Sequence, residues 1–146
     1  MLEILYEDNH LIAVNKKSGD IVQADKTGDK PLSDYVKDYI KKKYKKPGDV
    51  FLGTIHRLDR PTSGVVIYAR TSKALTRMNE LFREKKVSKT YLTIVDNIPP
   101  SNNGSLSNYL KKNTQKNKSY ITTSKDGKHA VLDYKLLKKL DNYYLL

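Results

Sequence analysis

The sequence contains no cysteine, no tryptophan and only two phenylalanines. Without thiols there can be no disulfide and no thiolate metal site, a composition that fits a reducing interior. Acids are scarce beside bases: 16 Asp and Glu face 28 Lys and Arg, for a formal charge of +12. Long apolar runs are missing, so no segment reads as a membrane span. Residues 1–15, MLEILYEDNHLIAVN, place acids early and lack a basic start ahead of a long apolar stretch, and so do not read as a secretory signal. The expected location is the cytoplasm, with no membrane partner.

What is present in quantity is charge and tyrosine. Apolar residues make up 38% of the 146 and charged residues 30%, a polar balance for a chain of single-domain size. The eleven tyrosines supply nearly all the aromatic content. A ring with a hydroxyl can sit half in a core and half in water, and can also stack on a base. The positive excess attracts polyanions and raises their encounter rate, which points toward nucleic acid. Solubility alone is the plainer account of the same lysines.

Local patterning sets out the elements. LEILY (2–6) and LIAVN (11–15) read as strands joined by the turn-forming Glu7-Asp8-Asn9-His10. Pro31 starts a helix in which Leu32, Tyr35, Val36, Tyr39 and Ile40 recur at helical spacing. It runs into Lys41-Lys42-Lys43-Tyr44-Lys45-Lys46, cations that suit a helix C-terminus, and stops at Pro47-Gly48. Residues 51–64 read as a loop and VVIYA (65–69) as a buried strand. Ser72 is the expected cap of a second helix with Leu75, Met78, Leu81 and Phe82 as its inner stripe. SKTYLTIV (88–95) alternates as a strand, PPSNNG (99–104) is a turn, and strands follow near 105–110, 118–124 and 128–137. Lys125-Asp126-Gly127 predicts a hairpin between the last two. DNYYLL (141–146) reads as a turn and the start of another strand. No repeat or linker divides the chain, and the fold class is α+β, mainly antiparallel, with flanking helices.

One segment concentrates chemistry. His56-Arg57-Leu58-Asp59-Arg60-Pro61-Thr62-Ser63-Gly64 sets two arginines around one carboxylate, and nearby cations favour the ionised acid. An ionised, positioned carboxylate can serve as nucleophile or base without a metal. A solvated loop knitted together by Arg–Asp pairs has the same composition. His10, His56 and His129 show no metal-ligand spacing. There is no Gly-x-Ser-x-Gly elbow and no phosphate-binding glycine loop. A glycosidase needs two acids flanking a bond, and only one acid lies in a constrained motif.

HRLDRPTSG resembles the signature of the RluA family of RNA pseudouridine synthases, HRLD followed two residues later by TSG. The likeness extends through YEDNHLIAVNK (6–16), VVIYARTSKAL (65–75), VSKTYLTIV (87–95) and DGKHAVLDYKLL (126–137), in the family's order along nearly the whole chain. The resemblance implies a pseudouridine synthase catalytic fold and an isomerase that turns uridine into pseudouridine in ribosomal or transfer RNA. It implies Asp59 as the catalytic aspartate and Tyr91, of Lys89-Thr90-Tyr91, as the ring that stacks on the target uracil. Arg57 matches the arginine that fills the space a flipped nucleotide leaves. His56, Arg60, Thr62, Ser63 and Lys89 complete the expected substrate-binding set. No cofactor or metal is implied.

The pattern departs from the family in two places. The strand with Gly-Arg-x-His-Gln-Ile-Arg that should follow 128–137 is absent, so residues 1–146 are expected to form a single catalytic domain, incomplete at its C-terminal end. No separate RNA-binding domain precedes it. Lys16-Lys17-Ser18-Gly19 also lacks the usual proline after the first lysine. A non-catalytic, basic RNA-binding module is the competing expectation, since charge and tyrosines suffice for binding.

Overall fold

Burial on both faces of Leu11–Lys16, with Ile12, Ala13 and Val14 all buried, decides the architecture of the first half. In the computed structural model, which describes residues 2–116 and 118–146, β1 (Ile4–Glu7) and β2 (Leu11–Lys16) form an antiparallel hairpin. Asp8 closes it, its Oδ1 accepting from the amides of His10 at 2.7 Å and Leu11 at 2.6 Å. These backbone bonds hold the Asp8 carboxyl below its ordinary value. β2 pairs along its whole length with β4 (Gly64–Ala69), and the short β3 (Gly53–Thr54) adds to the far side. The order is β1-β2-β4-β3. Residues 51–64, expected as loop throughout, thus include one two-residue strand, held by β4 rather than by any periodicity of their own.

A helix covers each face of this sheet. Ile12 and Val14 lie opposite Tyr68 and Val66, and all four are fully shut from solvent. They pack with Leu32, Val36 and Ile40 of α1 (Leu32–Lys43). On the other face Ala69 and the half-buried Leu11 and Ile67 meet Ala74, Leu75, Met78 and Phe82 of α2 (Ser72–Arg83). Leu81, expected in that stripe, is exposed. Side chains three and four apart share one helix face, which is why both stripes were visible in the sequence. The first amides of α1 have no side-chain cap; Leu32 and Ser33 donate instead to the carbonyls of Ile21 and Val22. The cap of α2 is Thr71, not Ser72: Thr71 is extended and its Oγ1 accepts from the Ala74 amide at 3.2 Å, while Ser72 is already helical.

A second knot of side chains ties the ends of β1, α1 and β4. The Glu7 carboxylate accepts from Tyr39, Lys43 and Tyr44 at 2.7–2.9 Å and pairs with Arg70 at 3.1 Å. Burial pushes the Glu7 carboxyl up, but the bonds from Lys43, Tyr44 and Tyr39 outweigh it and leave it below its ordinary value.

The chain divides into two compact units, Met1–Ser88 and Lys89–Leu146. The second unit is all strand. β6 (Asn103–Asn113) is central, between β7 (Lys118–Thr122) and β8 (Lys128–Lys135), in the order β7-β6-β8. A second small sheet holds β5 (Ile94–Val95), β10 (Tyr144–Leu145) and β9 (Lys138–Lys139), in the order β5-β10-β9. All of these pairs are antiparallel.

Two expectations fail in this unit. β7 and β8 do not form a hairpin; they flank β6 on opposite sides. The turn at 125–127 exists, with the amides of Asp126 and Gly127 donating to the Thr123 carbonyl. It carries the chain past β6, whose eleven residues are long enough to pair with β8 along one stretch and β7 along the other. A Cβ on Gly127 would stand 2.6 Å from Thr122 Cγ2 and 3.0 Å from Tyr109 Cβ, so the crossing needs glycine. Residues 88–95 form strand only at Ile94–Val95, which pair with β10, and the ladder's backbone bonds reach no farther back than Thr93, which exchanges both with Leu146. Alternation cannot make a strand where no neighbour supplies the ladder.

Candidate active site

The segment His56–Gly64 leaves β3 and returns into β4, and each of its ends is pinned by a local requirement. His56 is half-buried; its Nε2 accepts from the Ile67 amide at 3.1 Å and its ring stacks on Phe82 at 5.2 Å between centroids. Leu58 reaches the main core. Asp59 and Thr62 close a turn, the Thr62 amide donating to the Asp59 carbonyl at 3.0 Å. Gly64 begins β4 at φ +132°, a conformation that L side chains rarely adopt, so the last residue of the motif is required by the backbone.

The loop is held from beneath by a buried lysine. Lys16 continues the parity of Ile12 and Val14 and, like them, is 0% exposed. Its Nζ donates to the carbonyls of Lys17 at 3.1 Å, Arg60 at 3.0 Å and Thr62 at 2.6 Å. An ammonium has three protons, and all three find acceptors. Gly19 adds its own amide to the Arg60 carbonyl at 2.9 Å. Burial pushes the Lys16 ammonium below its ordinary value, while the charges of Asp20 and Asp59 oppose that shift and Arg60 adds to it. The backbone of residues 59–62 is therefore fixed to β2 by a lysine that the sequence set just past the strand 11–15, at the head of Lys16-Lys17-Ser18-Gly19. Its signal was present: a charged residue at the inward parity of an apolar strand.

The motif's charges are not arranged as their adjacency suggested. Arg60 pairs with Asp29 at 2.5 Å, and among the described residues Asp59 has no ion pair. Neighbouring side chains on a tight turn diverge, so chain adjacency did not become contact. Asp59, Arg57, Arg60 and Ser63 are exposed, and Thr62 is half-buried. The result is a rigid backbone presenting a carboxylate, a guanidinium and hydroxyls to solvent. Such a loop can position an ionised acid against an incoming ligand without spending conformational entropy at that moment.

Lys89 and Tyr91 lie in the second unit. Tyr91 is 55% exposed, so it is not a core aromatic. It lines an open groove of about 1150 Å³ together with Lys89, Leu92, Leu106, Leu132 and Tyr134. The first unit thus gathers His56, Arg57, Asp59, Arg60, Thr62 and Ser63 on one segment, and the second holds Lys89 and Tyr91 on another. Among the described residues no group of three or more His, Cys, Asp or Glu side chains could hold a metal ion.

Residues 10–146 match the family model described as RNA pseudouridylate synthase. The chain belongs to that family. The HRLD and TSG residues that pointed to it occupy the loop held by Lys16. Among curated members, ribosomal large subunit pseudouridine synthase C of Buchnera aphidicola (subspecies Acyrthosiphon pisum) is 37% identical over 144 residues, covering 98% of this chain and 44% of that protein. The protein of the same name in Escherichia coli K12 is 36% identical over 134 residues, covering 91% of this chain and 40% of its own length. The chain therefore spans less than half the length of these family members. Human RNA pseudouridylate synthase domain containing 4 shares the fold with a TM-score of 0.80 at 24% identity, covering 98% of this chain and 56% of that one.

Proposed function

We propose that this protein isomerises uridine to pseudouridine in RNA, with Asp59 as the catalytic carboxylate. The observation that carries the reading is an exposed aspartate on a backbone anchored by Lys16, inside the segment that bears the family's signature. Ribosomal RNA is the favoured substrate, from the names of the relatives; transfer RNA is the second choice. The proposed location is the cytoplasm. Among the described residues no helix is long and apolar enough to cross a membrane.

The chemistry follows from the groups available. A uridine inside a folded RNA must leave its stack to be reached, and Arg57, flat and cationic, can occupy the vacated place. Tyr91 stacks on the extruded uracil. Asp59 attacks or deprotonates the ribose, so that the N1–C1′ bond breaks. The uracil leaves with the bonding pair on N1, turns, and forms the C5–C1′ bond as the ribose gives up its bond to Asp59 or takes back its proton; C5 then releases its proton and N1 takes one up. Thr62, Ser63, Arg60 and Lys89 contact phosphate or sugar, and His56 keeps the loop seated on β4. The reaction needs no cofactor or metal, because the base supplies both bond partners.

A second reading has its own support. No described residue of the second unit is buried, and Leu92, Ile94, Ile98 and Ile121 are 60–74% exposed. We infer that further polypeptide of the same protein covers this apolar surface, and that residues 1–146 alone bind RNA with little turnover. Tritium release from RNA labelled at uridine C5 tests the first reading in the full-length protein and the second in residues 1–146 alone. Asp59→Asn is expected to lower release by about 10²–10⁴-fold or more, with RNA affinity retained. Equal release by the two proteins would remove Asp59 from the chemistry.

A further inference from the structure

The three-stranded sheet β7-β6-β8 has two chemically different faces. Residues opposite one another in an antiparallel pair share a face. One face carries Leu106 opposite Leu132, Leu110 between Ile121 and Lys128, Gly104 opposite Tyr134, Asn108 opposite Ala130 and, at its far end, Lys112 opposite Ser119. The other carries Tyr109 opposite His129, Lys111 opposite Tyr120, Asn113 opposite Lys118, Ser107 opposite Val131, and Asn103 opposite Lys135. The long aliphatic side chains of β6 and its neighbours, Leu106, Leu110, Leu132 and Ile121, gather on the first face, while the second is polar but for Val131 and carries the exposed Tyr109 and Tyr120. The tyrosines of the polar face are thus the ones left facing water, where an aromatic ring gains least.

These rings are arranged rather than scattered. Tyr109 and His129 lie 5.1 Å apart between centroids, tilted by 42°. His129 Nε2 lies 2.9 Å from Ser107 Oγ, which fixes the imidazole orientation. Tyr120 is 46% exposed and Tyr109 38%. The two tyrosines are diagonal neighbours across β6 and β7, roughly 7–8 Å apart on such a ladder, close enough to serve two bases of one strand. Lys111 and Lys118 border them and Lys135 stands farther along the same face, opposite Asn103, all exposed, against a single acid on the face, Asp133. Asp126, at the edge, approaches Lys111 only to 3.8 Å.

We propose that this Tyr–His–Lys face is a second RNA contact surface, taking a single-stranded segment of the substrate whose bases stack on Tyr109 and Tyr120 and whose phosphates meet Lys111, Lys118 and Lys135. Exposed rings interleaved with cations on a flat sheet are the arrangement that single strands use, because every base has a π face and every linkage a charge. The proposal rests on the reading that RNA is the substrate, but not on the chemistry assigned to Asp59.

The test uses the full-length protein and a short, uridine-rich single-stranded RNA, with affinity followed by fluorescence anisotropy across a salt series. Tyr109→Ser with Tyr120→Ser is expected to weaken binding by about tenfold or more, and Tyr109→Phe with Tyr120→Phe to restore it, since stacking needs the ring and not the hydroxyl. Lys111→Gln with Lys118→Gln is expected to shrink the slope of log affinity against log salt by about 0.7 for each lysine removed. In the tritium assay these variants raise KM and leave kcat at saturating RNA unchanged. Folding is checked by circular dichroism; if the serine pair unfolds, the lysine pair decides. Unchanged affinity and slope in folded variants would overturn the proposal, as would loss of binding to serine and phenylalanine pairs alike. A wild-type protein that binds through these residues but releases no tritium would leave this surface standing and remove the isomerase reading instead.

Discussion

Ile12, Val14, Val66 and Tyr68 of the first unit are fully shut from solvent beneath α1; Val131, Leu132 and Ile121 of the second are 54–72% exposed. Both units are built on antiparallel ladders of comparable length, eight paired residues between β6 and β8 against six between β2 and β4. The difference is therefore not in backbone pairing. It lies in whether a helix is available to cover the apolar side. A ladder exchanges hydrogen bonds with water for hydrogen bonds with itself and gains little net, whereas burial of apolar area supplies most of the driving force. The motif loop sits on the unit that has a core, and the groove with Tyr91 on the unit that has none.

That contrast can be broken by substitution. In residues 1–146 alone, Ile12→Ala is expected to cost about 2–5 kcal/mol of the first unit's stability in denaturant, while Leu132→Ala, exposed there, costs no more than about 0.5 kcal/mol. Comparable losses would mean that the second unit has a core of equal weight. A smaller effect is expected at the join between core and loop. Lys16→Met keeps the volume but frees the carbonyls of Lys17, Arg60 and Thr62. A loss of about 1–3 kcal/mol follows, because buried acceptors lose their donor. Amide exchange should rise in residues 59–64 ahead of the rest of the sheet, and turnover should fall through kcat rather than through RNA affinity. Uniform loosening would make Lys16 a core residue and nothing more.

The smallest effect is on pH dependence. The folded Glu7 carboxyl lies below its ordinary 4.5, so in that window the unfolded chain binds the extra proton and stability rises with pH. The contribution is complete above about pH 4.5 and is lost as pH falls through the lowered folded value. Acid melting followed separately in the two units should show a shallower decline in the first unit after Glu7→Gln. An identical profile in wild type and Glu7→Gln would show that the bonds from Lys43, Tyr39 and Tyr44 carry no proton linkage.

How much could be read in advance differs between the same two units. In the first, β1, β2, β4 and both helices stood close to where alternation and helical spacing put them, because the burial of Ile12, Val36 and Phe82 writes a period into the chain. In the second, residues 88–95 alternate as a strand yet pair only from Thr93 to Val95, and a turn signal at 125–127 joins strands that do not pair with each other. Exposed strands carry a weaker period, and turn chemistry reports the local bend without naming the partner. At the motif, the identity of the loop was legible from nine residues, whereas its supports were not. Asp29, which holds Arg60, lies 31 positions away, and Lys16 lies 44 positions away.

By itself the chain determined its element types, its cationic balance and the signature that places it among the RNA pseudouridylate synthases. All three are written in local spacing, composition or contiguous residues. Only the tertiary structure decided that Arg60 turns to Asp29 and that Lys16 lies beneath the loop. It also decided that β6 stands between β7 and β8. Each of these depends on which distant segments come to share a low-dielectric interior or a ladder, and no nearest-neighbour pattern encodes that choice.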